Sequence, residues 1–139
     1  MKNKAFLPLI ELIIMIGIFA AAAAVCLSVF IKADRISQNA EDLDRAVEAA
    51  ENAAEIIKYT GGDLEAAAKL LSGRTRSGSV VICFDADWNP TDAEGAVFRI
   101  DAVNYESEYL GKTDVLVYSG DSLIYKLTVG WQKEARDGN

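Results

Sequence analysis

The most pronounced pattern in the chain is an apolar run near its amino terminus. Residues 7–31 read LPLIELIIMIGIFAAAAAVCLSVFI and carry a single charge, Glu11. A helix of this length measures about 37 Å, enough to cross the roughly 30 Å hydrocarbon core of a bilayer. Lys2 and Lys4 precede the run and a strongly acidic sequence follows it, so the positive-inside rule places the amino terminus in the cytoplasm. We therefore expect a single-pass protein of the cell membrane with an extracytoplasmic C-terminal part.

Two other interpretations of the apolar run fit the residues less well. A cleaved signal peptide would be cut within the small residues 20–24, but the run continues beyond them to Ile31. A lipoprotein signal ending at Cys26 would require a small residue immediately before the cysteine, where this chain has Val25. The pattern favours a retained transmembrane helix over residues 6–31.

The helical pattern continues beyond the membrane segment. Apolar residues recur at alternating steps of four and three along one face, at Ile36, Ala40, Leu43, Val47, Ala50, Ala54 and Ile57. No Pro or Gly interrupts residues 18–60, and Gly61-Gly62 provides a C-terminal stop, so one helix is predicted over residues 7–59. The alanines of the stripe favour packing on a sheet, with a homotypic coiled coil as the alternative.

The period of the pattern changes to two in the second half of the chain. Asp63 is predicted to cap a short helix at 64–71, and 74–79 is predicted to be a polar loop. Four segments then alternate as strands do, at 79–85, 96–104, 114–119 and 122–132. Gly120-Asp121 is a tight hairpin signal between the last two strands. On the final strand, one apolar face is predicted to lie against the helix: Leu123, Tyr125, Leu127, Val129 and Trp131.

These elements predict an α+β fold. A long N-terminal helix, half transmembrane and half amphipathic, would pack on a roughly four-stranded antiparallel sheet. The predicted organisation is a cytoplasmic leader at 1–5, a transmembrane helix at 6–31 and an extracytoplasmic domain at 32–139.

Charge and composition exclude several function classes. The chain has 139 residues and a net charge of −7, and the residues after Lys32 contain 11 Lys and Arg against 20 Asp and Glu. Such an acidic surface repels phosphates, which argues against nucleic-acid binding. There is no histidine, and the two cysteines, Cys26 and Cys83, are expected to be reduced and structural. No nucleophile–base pair or cofactor loop can be assembled from this sequence, so we expect neither an enzyme nor a cofactor.

The amino-terminal residues resemble those of a known family. A short Lys-containing leader, the segment Ala5-Phe6-Leu7-Pro8-Leu9-Ile10-Glu11-Leu12 and an unbroken apolar helix resemble the start of type IV pilins and type II secretion pseudopilins. In that family a prepilin peptidase removes the leader, the new terminal residue is N-methylated, and a nearby glutamate neutralises the terminal amine of an adjacent subunit.

The resemblance implies roles for individual residues of this chain. Ala5 would precede the cut, although the family normally has Gly there, and Phe6 would be the methylated N-terminus. Glu11 would be the pairing carboxylate, sixth in the mature chain where the family normally has it fifth. A cut before Leu7 restores that count and is the alternative. The implied partners are the membrane, other pilin-like subunits, the prepilin peptidase and the assembly machinery.

The composition of the apolar helix bears on assembly independently of the resemblance. A carboxylate such as Glu11 opposes insertion into a membrane, so it normally has a partner or a role; snorkelling to the cytoplasmic interface is the alternative. Gly17 and Ala21 lie four residues apart on one face, where small side chains let membrane helices approach closely.

An acidic turn is the only candidate metal site. Oxygen ligands recur at alternate positions in the manner of a calcium loop, at Asp85, Asp87, Asn89 and Asp92. Pro90 stands where such a loop needs Gly and Ala96 where it needs Glu, so these residues are weak calcium candidates and an ordinary acidic turn is favoured. Trp88 in the same turn either folds over the sheet edge or is exposed to contact another subunit.

Two functions follow as hypotheses. The first is a structural subunit, pilin or pseudopilin, of a type IV pilus-like or type II secretion-like filament that assembles through its N-terminal helix. The second is a signal-anchored single-pass protein with an extracytoplasmic binding or sensing domain that is neither processed nor polymerised.

Overall fold

Two helices and a five-stranded antiparallel sheet make up the described part of the chain, residues 4–105 and 109–133 of a computed structural model. The helices are α1 (Phe6–Tyr59) and α2 (Leu64–Leu70). The strands are β1 (Arg74–Arg76), β2 (Ser79–Phe84), β3 (Phe98–Tyr105), β4 (Leu110–Ser119) and β5 (Ser122–Gln132), with a short 3-10 helix at Ala93–Gly95. The predicted α+β class is confirmed. The first residues of the predicted leader, including Lys2, lie outside the described residues.

The chain divides into two compact units, Met1–Glu41 and Asp42–Asn139. In the first unit α1 begins at Phe6, and every described residue of the unit is exposed. All the buried apolar residues belong to the second unit, the earliest of them being Ala46. No described residue of the apolar run therefore belongs to the hydrophobic core.

The second unit contains a simple meander. The strand order is β1-β2-β3-β4-β5, and each neighbouring pair is antiparallel. The hairpin predicted at Gly120-Asp121 is confirmed, since Ser119 pairs with Ser122 across it and Gly120 has a φ of 58°.

The prediction of a polar loop over 74–79 is wrong. Residues 74–76 form β1, a short edge strand paired to β2. The turn between them places Ser77 at φ 49° and Gly78 at φ 80°. Two successive positive φ values match the twist of paired strands and close a tight hairpin, which is why a polar Arg-Thr-Arg segment is held as a strand.

The core lies between the helices and one face of the sheet. From α1 it receives Ala46, Ala50, Ala53, Ala54 and Ile57, and from the strands chiefly Val80, Ile82, Ile100, Ala102, Val115 and Val117. The prediction that the helical stripe packs on a sheet is confirmed at Ala50, Ala54 and Ile57. It is wrong at Ile36, Ala40 and Leu43, which are exposed. Within the second unit the sheet meets the alanine-rich face of α1, where small side chains let helix and sheet approach closely, and Leu43 lies outside that face.

The helical ends follow the predicted signals. Gly61 and Gly62 have φ values of 61° and 81° and donate their amides to the carbonyls of Lys58 and Ile57, which terminates α1. The Asp63 carboxylate accepts hydrogen bonds from two amides at the start of α2, as expected of an N-cap.

One residue of the apolar face predicted for β5 is misplaced. Leu127, Val129 and Trp131 pack against the core, but Leu123 is 51% exposed. The β4–β5 register shifts between Val117 and Tyr118, so an extra residue enters β5 and its alternation reverses before Tyr125. Ile124 packs against the core in place of Leu123.

Deleting residues 1–31 is expected to leave a soluble, cooperatively folded domain. Within its described part, residues 4–31, the deletion removes exposed apolar side chains and none of the buried ones. Thermal denaturation followed by far-UV circular dichroism should show one sigmoidal transition for residues 32–139. An aggregated product, or one without a transition, would show that the fold depends on the membrane segment.

Candidate functional site

The most distinctive surface of the molecule is the apolar part of α1. Large apolar side chains are exposed on all sides of it, including Phe6, Leu7, Leu9, Leu12, Ile13, Ile14, Met15, Ile16, Ile18, Phe19, Val25, Leu27, Val29, Phe30 and Ile31. Among the described residues, α1 is the one helix long and apolar enough to cross a membrane. The apolar part of α1 is hydrophobic all round, which favours an apolar surrounding such as lipid or other helices.

Glu11 is the single charge in this apolar surface. Its side chain is exposed and forms no hydrogen bond or ion pair with any residue of 4–105 or 109–133. It lies in the second turn of the helix that begins at Phe6, directly after Ala5. In an apolar surrounding an unpaired carboxylate is costly, so such a surrounding favours a cationic partner for Glu11.

Gly17 and Ala21 are also exposed on α1. A Cβ placed on Gly17 would meet no atom within 4 Å, so nothing within the described chain requires a glycine there. Its backbone is open to close approach by another helix, as expected of a small-residue contact.

The turn with the weak calcium candidates is organised by hydrogen bonds. The Asp85 carboxylate accepts from the amides of Asp87 and Asn89, while Asp92 forms an ion pair with Arg74. Within the described residues, no three His, Cys, Asp or Glu side chains are grouped so as to hold a metal ion. These bonds give the carboxylates of Asp85 and Asp92 structural partners near this turn.

Trp88, at the centre of this turn, folds over the sheet edge. Its ring stacks on Phe98 at 4.1 Å between centroids and lies 5.7 Å from the ring of Phe84. Its indole Nε1 donates to the Asp42 carboxylate at 3.5 Å. Of the two placements open from the sequence, the structure shows the packed one, with the side chain half-buried.

The outward face of the sheet contains a buried carboxylate that the sequence did not single out. Asp114 on β4 is only 5% exposed. Its carboxylate receives Lys126 Nζ at 2.6 Å and the Thr128 hydroxyl at 2.7 Å, both from β5. The bonds from Lys126 and Thr128 hold the pKa of Asp114 below its ordinary value, against the opposing effect of burial. The same ion pair raises the pKa of Lys126.

We expect this carboxylate to make stability pH-dependent. Because the pKa of Asp114 is lowered in the folded state, its carboxylate stabilises the fold at pH values above the ordinary pKa of 3.8. This stabilisation is lost as the pH falls through the folded-state pKa. Asp114→Asn should therefore melt roughly 5 °C below the wild type at pH 7, and the gap should narrow as the pH falls below 3.8. Melting curves of both proteins across this range test the assignment, and a gap independent of pH would contradict it.

Comparison of the chain with protein-family models, with curated proteins and with solved structures returned no match.

Proposed function

We propose that this chain is a structural subunit of a pilus-like or pseudopilus-like filament, anchored in the membrane before assembly. The observation that carries the proposal is the exposed apolar helix, which contains one carboxylate near its start. It is followed by an α+β unit that has its own hydrophobic core. The resemblance of residues 5–12 to the amino terminus of type IV pilins and type II secretion pseudopilins supports it. The order of helix and antiparallel sheet is also the order that such a subunit would have.

In this account the apolar helix works in two surroundings. Before assembly it lies in the bilayer, where its side chains are solvated by lipid. In the filament the same side chains pack against helices of neighbouring subunits, with close approach at Gly17 and Ala21. The α+β units face outward, where their acidic surface remains hydrated.

Glu11 directs the assembly step. Removal of the leader after Ala5 would expose the amine of Phe6, which would then be N-methylated and remain a cation. Inside a bundle of apolar helices a lone amine or a lone carboxylate is strongly disfavoured, and the two neutralise one another across subunits. Each subunit thereby pairs its Phe6 amine with the Glu11 carboxylate of one neighbour and its own Glu11 carboxylate with the amine of the other. This pairing fixes the axial position of successive helices.

A signal-anchored protein that is never processed is the second candidate. The position of Glu11 near the cytoplasmic end of the run favours it, since a carboxylate there reaches the interface by snorkelling. In that case the α+β unit would act alone at the membrane surface, as a binding or sensing domain.

Cross-linking of intact native cells with a short amine-reactive reagent separates the two candidates. A filament subunit should give a ladder of dimers, trimers and higher multiples of the chain. A solitary anchored domain should remain monomeric at the same expression level. A monomer in cells that assemble other filaments would contradict the proposal.

A further inference from the structure

Arginines gather on the sheet face that points away from α1. We call Arg74, Arg76 and Arg99 the arginine patch; they are three of the six arginines in the sequence. In the strand register each lies opposite a residue of β2, and those partners alternate with the buried Val80 and Ile82. Because successive side chains of a strand point to opposite faces, the arginine patch lies on the outward face.

The arginine patch is incompletely neutralised within the described chain. Arg74 pairs with Asp92, but their side chains are 72% and 81% exposed. Arg99 Nε lies 3.1 Å from Asp101 Oδ1. The Arg76 guanidinium has no ion pair with any residue in 4–105 or 109–133. The patch thus stays positive in a chain whose net charge is −7.

The arginine patch borders a cavity of about 300 Å³. Its lining includes Arg74, Arg76, Asp92 and the partly exposed Cys83. A cavity edged by guanidinium groups suits carboxylates, which arginine binds in a planar, bidentate manner.

A row of carboxylates lies on the opposite side of the same unit. We call Asp44, Glu48, Glu51 and Glu55 the acidic stripe; all four are exposed. Their spacing of four, three and four places them on one side of α1, and at 100° per residue that side is opposite the buried Ala46, Ala50 and Ala53. Like charges at these spacings repel one another along a helix, so a cationic partner would stabilise the stripe.

We propose that the arginine patch of one copy binds the acidic stripe of the next. The two surfaces lie on opposite sides of one folded unit, so they cannot meet within a chain. Between copies they form a head-to-tail contact, which leaves one patch and one stripe free at the ends and generates an open, extending assembly. This inference rests on the proposed filament function and specifies which surfaces of the α+β units meet.

The contact is expected to set the register of subunits more than their affinity. Exposed ion pairs contribute little individually, and salt weakens them further. Subunits already held together by their apolar helices have a high effective concentration, so weak complementary charges suffice to select one orientation.

Charge reversal in the full chain, expressed in the native cells, tests the contact. Arg76→Glu should reduce the cross-linked ladder about threefold, since one weak exposed attraction is lost and one weak repulsion is gained. Arg35→Glu, the same change at an exposed position of α1 outside the patch and the stripe, removes no reactive amine and should leave the ladder at the wild-type level. Adding Glu51→Arg to Arg76→Glu should restore most of the yield, because the pairing is then re-formed with its signs exchanged.

A second measurement locates the contact. In a Cys26→Ala background, Asn52→Cys places a thiol beside the acidic stripe without removing a charge, and native Cys83 marks the patch. A short bismaleimide should then yield dimers that disappear with Cys83→Ser, whereas Ser122→Cys at the β4–β5 turn should yield few.

The outcomes separate this inference from the function on which it rests. A wild-type amine-reactive ladder combined with no Asn52→Cys dimers and no effect of Arg76→Glu would overturn the patch-to-stripe contact alone. A thiol link from Cys83 to a different protein would overturn it in favour of an acidic heterologous partner. Absence of the ladder in the wild type would overturn both the contact and the filament function.

Discussion

Glu11→Gln is expected to leave the chain in the membrane but to remove it from assemblies, with a loss of several-fold or more. Gln is nearly isosteric with Glu and is less costly to bury, so insertion of the apolar helix should be unchanged or improved. In the assembled bundle, however, the amine of the neighbouring subunit would lose its counter-charge in a medium of low dielectric constant. The quantity to measure is sheared-filament yield divided by total membrane protein.

Glu94→Gln provides a matched control for that measurement. It is the same chemical change at an exposed position of the 3-10 helix in the second unit, far along the chain from the apolar segment. It should assemble at the wild-type level. If Glu11→Gln also assembled at that level, Glu11 would serve only to reach the cytoplasmic interface, and the anchored-domain candidate would be favoured.

Gly111→Val should destabilise the second unit by about 3 kcal/mol, the combined effect of overpacking and of a displaced Trp. Gly111 is buried on β4 directly opposite Trp131 on β5, and a Cβ at Gly111 would overlap the indole. A Cβ at Gly62, in the loop after α1, would overlap the same ring. The indole therefore lies against two backbones, so it cannot relieve the clash without leaving its place on the core. For a domain of this size the melting temperature should fall by more than about 10 °C.

Gly130→Val tests whether the loss of stability arises from the contact between Gly111 and Trp131 or from replacing any glycine in a strand. Gly130 neighbours Trp131 on the same strand but is exposed, and the nearest atom to a Cβ there is the Gly111 carbonyl oxygen at 3.8 Å. Valine favours strand conformation, so this variant should melt at or above the wild-type temperature. Equal destabilisation by both variants would contradict the role assigned to Gly111.

The features that could be predicted from the sequence are those determined by residues close together along the chain. The change of period from helix to strand, the glycines after α1, the Asp63 cap and the Gly120-Asp121 turn each act within a few residues. Their structures follow from backbone sterics and nearby hydrogen bonds, so they are the same whatever the rest of the chain does.

The features that were missed depend on pairing between distant segments. β1 is held by its partner strand and its turn, since Arg74–Arg76 carries no apolar alternation of its own. The bulge that exposes Leu123 arises from the register of two strands. Asp114 looks like an ordinary polar strand residue until that register brings Lys126 and Thr128 to its carboxylate.

The face of α1 that packs on the sheet also depends on distant segments. Alanines surround much of α1 between residues 40 and 54, so several faces are equally apolar by sequence. The sheet selects the face with the smallest side chains, and Leu43 is left exposed. In the candidate site, the apolar segment and Glu11 could be identified from the sequence alone. The arginine patch could not, because its three residues are brought together only by the pairing of β1, β2 and β3.

The most direct test of the central claim is the intact mass of the chain recovered from sheared, sedimented material of native cells. The account predicts that the chain is present there without residues 1–5 and with one added methyl group on Phe6. A mass that corresponds to a chain beginning at Leu7 would support the same function, with the cleavage site one residue further along. Absence of the chain from that material, together with a full-length, unmethylated chain in the membrane, would contradict the account and leave the signal-anchored domain in its place.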